Sequence, residues 1–184
     1  LYLNAHLIHA EKDNHRIQKV SAMIHNRPIT FHPSVVIDTT GESTVARFAG
    51  VETVENKTYQ AAAQTFIMTG IATNDEQKLR LSLLRSIRKG IEDGAYSQHY
   101  DMLSVVPGSL KLSRAVFKLG LPLEVGNDPF EMTRLQLFAR KALTEMVYYL
   151  QTQNNLFKNA VLSMIAPEVG IRTADPVSVC AGTL

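Results

Sequence analysis

The sequence predicts an α+β fold in which a β-meander and a mixed sheet pack against two main helices. Three observations carry this: β-branched and aromatic runs broken by polar turns over the first forty residues, and two long segments whose apolar residues recur at helical period. The 184 residues are 45% hydrophobic and 20% charged, enough to bury a core unaided.

The meander is expected from Leu1 to His9, Ile17 to His25 and Pro28 to Ile37, with turns at Glu11-Lys12-Asp13-Asn14 and at Asn26-Arg27. Val35-Val36-Ile37 is continuously apolar and β-branched, the pattern of a strand covered on both faces. It stops at Asp38-Thr39-Thr40-Gly41-Glu42, and Ser43 to Ala49 reads as a short helix ended by Gly50. A strand follows from Tyr59 to Thr69. Thr73-Asn74-Asp75-Glu76 has capping-box spacing before a helix whose inner face is Leu79, Leu83, Leu84, Ile87 and Ile91, stopped by Gly94. Tyr100 to Val106 and Leu110 to Lys118 read as strands joined at Pro107-Gly108. Asp128-Pro129 with Glu131 opens a long helix to about Gln151, striped by Leu135, Phe138, Ala142, Met146 and Leu150. Asn159 to Val169 reads as a last strand, with turns around Pro167 and Gly170.

Charge and composition exclude several classes. Nineteen Lys plus Arg against seventeen Asp plus Glu leave +2, no electrostatic footprint for nucleic acid or an anionic membrane. No apolar run approaches the ~18 residues of a spanning helix, and the start lacks signal-peptide order, so the expected location is cytoplasmic. The one cysteine, Cys180, excludes an internal disulfide and has no cationic neighbour in sequence, which fits an inert thiol. His6 and His9 stand three apart on a strand and point to opposite faces, so no metal site is expected. A strand that begins at Leu1 without an opening Met, and an apolar end from Val177 to Leu184, predict a chain cut from a longer fold.

None of the ten glycines forms Gly-x-Gly, so the glycine-rich turn that carries a dinucleotide's pyrophosphate is not in this chain; a Walker loop and a Gly-x-Ser-x-Gly elbow are absent too. What stands out is Val35 to Glu42, an apolar strand ending in small, polar and glycine residues. Such an end presents backbone amides and short side chains to a ligand at a sheet's carboxyl edge, or simply makes a strand, turn and helix cap.

That stretch resembles the strand-Asp-Ala-Thr-Gly-Asp motif of the FAD-dependent oxidoreductase family with a glutathione-reductase-like flavin fold, with Thr39 in place of Ala and Glu42 in place of Asp. Ala49-Gly50-Val51 matches the family's next step, and Gln64-Thr65-Phe66-Ile67-Met68 its strand leading into a substrate-side domain. Thr133-Arg134 and Arg140 are similar to its Thr-Arg-x-x-x-x-x-Arg helix. Asn154 to Ala160, Ile165-Ala166-Pro167 and Val169-Gly170-Ile171-Arg172 are similar to its later elements. Where the family continues Glu-Ser-Arg-Arg, this chain has Thr173-Ala174-Asp175-Pro176, which puts an arginine clamp for anionic substrates in doubt.

The resemblance implies that residues 1–57 are connecting strands and the strand-turn-helix of a flavin domain, and 58–184 a substrate-side α+β domain. It implies FAD in the parent protein, none bound by this chain alone and no turnover by it, with the flavin-gripping segments before Leu1 and after Leu184 and a small-molecule substrate as partners. Asp38, Thr39, Thr40, Gly41 and Glu42 would line the flavin-binding strand edge, and Arg172 would set a positive charge near substrate or reduced flavin, unless it makes an ordinary surface salt bridge. The competing class is a non-catalytic ligand-binding or protein-interaction module, in which strand edges such as Leu1 to Ile8 pair with another chain or a second copy. A free-standing hydrolase would need a nucleophile and base that the sequence does not advertise.

Overall fold

The computed structural model describes residues 1–53, 60–95, 102–121 and 129–172. Tyr59, Tyr100, Asp128, Cys180 and the stretch after Arg172 lie outside them. The fold is α+β, and the described residues divide between two compact units, one drawn from Leu1–Tyr59 and the other Gln60–Arg172. No helix among the described residues is long and apolar enough to cross a membrane.

The first unit is a three-stranded antiparallel meander, β1 (Ala5–Asp13), β2 (Arg16–Ile24) and β3 (Arg27–Phe31), followed by a one-turn helix, α1 (Thr44–Phe48). The first turn falls at Asn14-His15, later than the polar run suggested, because Glu11 to Asp13 still pair with β2. The second falls at His25-Asn26, both at positive φ as a tight hairpin turn requires. The buried strand expected at Val35-Val36-Ile37 is corrected: this run is in no described strand, and Val35 and Ile37 are 78% and 83% exposed. The ladder between β2 and β3 ends at Phe31 opposite Val20, and Pro33 just beyond has no N–H to extend it. Val36 alone turns inward, packing with Leu7, Ile17 and Val51 around buried Ala10, Val45 and Ala49.

The second unit is built on β4 (Gln60–Thr69), flanked by β5 (Leu103–Val105), β6 (Arg114–Gly120), β7 (Val161–Ile165) and β8 (Gly170–Arg172). The order is β5-β6-β4-β7, all pairings are antiparallel, and β8 pairs with β4 beyond the end of β7. Alternation decides the faces. Ala62, Gln64, Phe66 and Met68 of β4 are buried together with Ala115, Phe117 and Leu119 of β6, beneath helices α2 (Glu76–Glu92) and α3 (Pro129–Gln153). The alternate residues, Ala63, Thr65, Ile67, Thr69, Arg114, Val116 and Lys118, lie on the opposite, open face. Gly70 closes β4 at φ +78°, where a Cβ would meet the Asn159 carbonyl oxygen at 2.8 Å.

The helix stripes hold with one exception. Leu79, Leu83 and Ile87 of α2 are buried, but Leu84 is 43% exposed, since four apolar residues per two turns make a wider stripe than this contact covers. The cap of α2 is Asp75, whose side chain accepts from the Lys78 amide; Thr73 instead accepts from the Asp75 amide, and Glu76 reaches out to the Gly108 amide. The capping box expected at Thr73 is thereby replaced. Both α1 and α2 end in a Schellman pair, Val51 to Ala46 with Gly50 to Arg47, and Ala95 to Gly90 with Gly94 to Ile91. The strand expected from Leu110 is interrupted by a second tight turn at Leu112-Ser113, both at positive φ, so β6 begins at Arg114. The single strand expected from Asn159 to Val169 is divided at Pro167 into β7 and β8.

Asn154 locks the end of α3 to α2. Its side chain donates to the Ser82 and Ser86 hydroxyls at 2.9 and 2.8 Å and accepts from the Leu156 amide at 3.0 Å. Phe66 and Phe117 stack across β4 and β6 with centroids 5.2 Å apart, and Phe157 tilts against Phe117. Truncating a fully buried aromatic removes its transfer free energy and leaves a cavity, so Phe117→Ala should cost about 3–5 kcal/mol in urea unfolding, while Leu112→Ala at the exposed turn should change stability by less than about 0.5 kcal/mol. Equal costs would mean that the core is not packed as described.

Candidate functional site

The turn from Asp38 to Glu42 is held by one carboxylate. Asp38 Oδ1 accepts from the Thr40 amide at 3.1 Å and from its hydroxyl at 2.6 Å, while Oδ2 accepts from the amides of Val45 at 2.9 Å and Ala46 at 3.4 Å. The Thr40 hydroxyl oxygen in turn accepts from the Thr44 amide at 2.9 Å. The open N–H groups of α1 are therefore satisfied from residues four to eight positions upstream, and the adjacent Ser43, at φ +51°, makes no side-chain cap. Partial burial opposes the charged form of Asp38, yet the hydrogen bonds from the Thr40 hydroxyl and amide and from the Ala46 and Val45 amides outweigh it, and its pKa lies below the ordinary aspartate value.

With its carboxylate committed to Thr40 and α1, the segment leaves part of its backbone unpaired. Thr39, Thr40, Gly41 and Glu42 are exposed, and the amides of Thr39 and Gly41 have no hydrogen-bond partner among the described residues. Gly41 stands at φ +81° with open space where a Cβ would project. Beside the turn is a cleft of about 520 Å³, floored by Ile17, Val36, Val45 and Val51 and rimmed by Lys12, His15, Arg16 and Asp38. Two of the cations brace its walls: Arg16 donates to the Ser34 carbonyl at 2.9 Å and Lys12 to the Gly50 carbonyl at 3.3 Å. A turn with exposed, unpartnered amides and an unhindered glycine suits a ligand rich in acceptor oxygens.

The second candidate region lies in the other unit, where Arg172 ends β8 opposite Gln60 of β4. Its side chain lies outside the described part of the structure. The adjacent break between β7 and β8 is closed by side chains: Gln64 donates to the Ala166 carbonyl at 3.0 Å, Arg140 to the Pro167 carbonyl at 3.2 Å, and the Gln136 side-chain oxygen accepts from the Val169 amide at 3.3 Å. Residues widely separated in sequence thus position the Gly170-Ile171-Arg172 strand. Sequence reading singled out Gln64, Arg140 and Pro167 but not their meeting; Gln136, Lys12 and Arg16 carried no signal, being ordinary polar residues on a helix face and at a hairpin end.

Residues 1–175 match the model of a family described as FAD dependent oxidoreductase. No curated protein and no solved structure matches the chain significantly.

The depressed Asp38 pKa makes an acid-side prediction. On acidification the unfolded chain takes up this proton first, near 3.8, so the Asp38 contribution is complete above that pH and is lost as pH falls through the lower folded value. Thermal unfolding of Asp38→Asn should therefore differ from wild type at neutral pH, with the gap narrowing below pH 3.8. A gap that stays constant with pH would show that the carboxylate charge has no part in holding the turn.

Proposed function

Because the chain belongs to the FAD dependent oxidoreductase family, we propose that it supplies one edge of a flavin site and the sheet that shapes the substrate pocket over the flavin. FAD, when bound, takes up or gives the electron pair; the residues here bind, orient and set charge. The reading rests on the Asp38 turn. Asp38 and Thr40 fix its backbone, leaving the Thr39 and Gly41 amides to donate to acceptor oxygens of the cofactor, with Glu42 beside them. Arg172 would place a guanidinium near substrate or reduced flavin, held by the Gln64, Gln136 and Arg140 clamp, where a fixed positive charge stabilises negative charge that develops during transfer.

A second reading is favoured by one observation: Val35 and Ile37 are exposed, β-branched and in no described strand, a surface suited to pairing with another strand. In that reading the unit is an interaction module and the turn is only a helix cap.

A titration with FAD, followed by flavin fluorescence and by the melting temperature of the protein, separates the two. The resemblance implies no cofactor bound by this chain alone, whereas the exposed turn leads us to expect saturable binding with a Kd in the micromolar range, about −8 kcal/mol, weakened at least about tenfold by Gly41→Val, which strains a φ of +81° and puts a side chain beside the free amides. Fluorescence and melting temperature that stay unchanged at saturating FAD would overturn the flavin reading for this chain.

A further inference from the structure

The open face of the second unit's sheet has a consistent charge and a graded polarity. None of its five strands contains Asp or Glu, whereas Arg114 and Lys118 stand on this face. Cross-strand register divides the face into ranks. Lys118 of β6 stands directly between Thr65 of β4 and Ser104 of β5, so a cation is flanked by two hydroxyls. The next rank is apolar: Val116, Ile67 and Met164 lie side by side across β6, β4 and β7. Two residues along a strand is a step of about 6.7 Å, and Arg114 with Thr69 forms the rank beyond, at the hairpin end.

Lys118 makes no ion pair among the described residues, and the acids that pair with lysine there, Glu11, Asp93 and Glu145, do not belong to the strands of this sheet. The helices bury the other face, and on this one Met164 is 60% exposed, Lys118, Thr65 and Ser104 are exposed, and Ile67 and Val116 are half-buried. An unpaired ammonium between two hydroxyls, one rank from an apolar strip, is complementary to a small molecule with a carboxylate at one end and an apolar body about one strand step long.

Resting on the reading of this sheet as the substrate-side surface, we propose that the substrate class is an organic monocarboxylate. Its carboxylate is received by Lys118 with Thr65 and Ser104, and its apolar body lies on Val116, Ile67 and Met164. A lysine is a point charge with rotatable donors, so it fixes the carboxylate's place more than its plane, and the hydroxyls on either side supply the remaining direction.

Benzoate is a suitable probe because it has a carboxylate on a flat apolar body, and benzamide is its neutral counterpart of the same shape. In amide-resolved nuclear magnetic resonance of the labelled chain, benzoate should produce saturable shifts confined to residues around Thr65, Ile67, Ser104, Val116 and Lys118. Binding should be in the millimolar range or tighter, with benzamide at least about tenfold weaker. Lys118→Gln should weaken benzoate by at least about tenfold and Arg114→Gln by less than about twofold. Absence of benzoate shifts, equal binding of benzamide, shifts centred on other cations, or full binding by a folded Lys118→Gln variant would each overturn the proposal. The benzoate and benzamide comparison needs only the wild-type chain, so a misfolded variant does not leave the question open. A chain that binds FAD yet ignores benzoate loses this inference and keeps the flavin reading; one that binds benzoate but not FAD does the reverse.

Discussion

The second unit depends on β4, because one strand must satisfy neighbours on both edges while presenting opposite chemistry on its two faces. Its pairing with β6 on one side and with β7 and β8 on the other commits the backbone from Gln60 to Thr69. Strict alternation then assigns Ala62, Phe66 and Met68 to the core and Thr65, Ile67 and Thr69 to the open face. A slip of one residue would exchange the two sets, burying hydroxyls under the helices and exposing the Phe66 stack. Gln64 is the one polar member of the buried rank, 1% exposed, and it is retained where the ladder is broken. Its amide bridges to the Ala166 carbonyl that the β7–β8 interruption leaves without a strand partner, while its Oε1 has no partner among the described residues, an incomplete satisfaction that costs about 1–3 kcal/mol if no water supplies it.

Much of this fold is legible in the sequence wherever periodicity and stop signals agree. The stripe Leu135, Ala142, Met146 and Leu150 places α3, and the stripe ending at Gly94 places α2, because burial on one face of a long helix repeats often enough to stand out from noise. Turns are harder. Leu112-Ser113 contains neither Gly nor Asn, yet both residues adopt positive φ, an arrangement held by the Lys111 and Arg114 backbone pair on either side. Caps are harder still, since the α1 amides are served by Asp38 and Thr40 rather than by the residue next to them. Val35-Val36-Ile37 shows the converse limit: its composition suits a doubly covered strand, but a strand needs neighbours to pair with, and only Val36 is packed.

The same contrast runs through the candidate sites. The stretch from Asp38 to Glu42 can be found from sequence because its residue types are unusual after an apolar run, while the clamp on β8 cannot. Gln64, Gln136, Arg140, Pro167 and Val169 become neighbours only after three elements have folded, and no local spacing announces that meeting. The Lys118 rank is of this kind too. Thr65 and Ser104 flank it through register alone, and each is unremarkable in its own strand.

On the proposed reading, capping and ligand binding at the Asp38 turn are two uses of one geometry. A carboxylate that accepts from Thr40, Val45 and Ala46 is committed to the turn and the helix, while the amides of Thr39 and Gly41 have no partner among the described residues. The hydrogen bonds that outweigh burial and depress the Asp38 pKa already match its charge within the protein, so on that reading it adds little repulsion toward an approaching anionic ligand. On the same reading, losing that carboxylate would act on binding through the shape of the turn, whereas a side chain at Gly41, strained there at φ +81°, would act both on the turn and on the space before it.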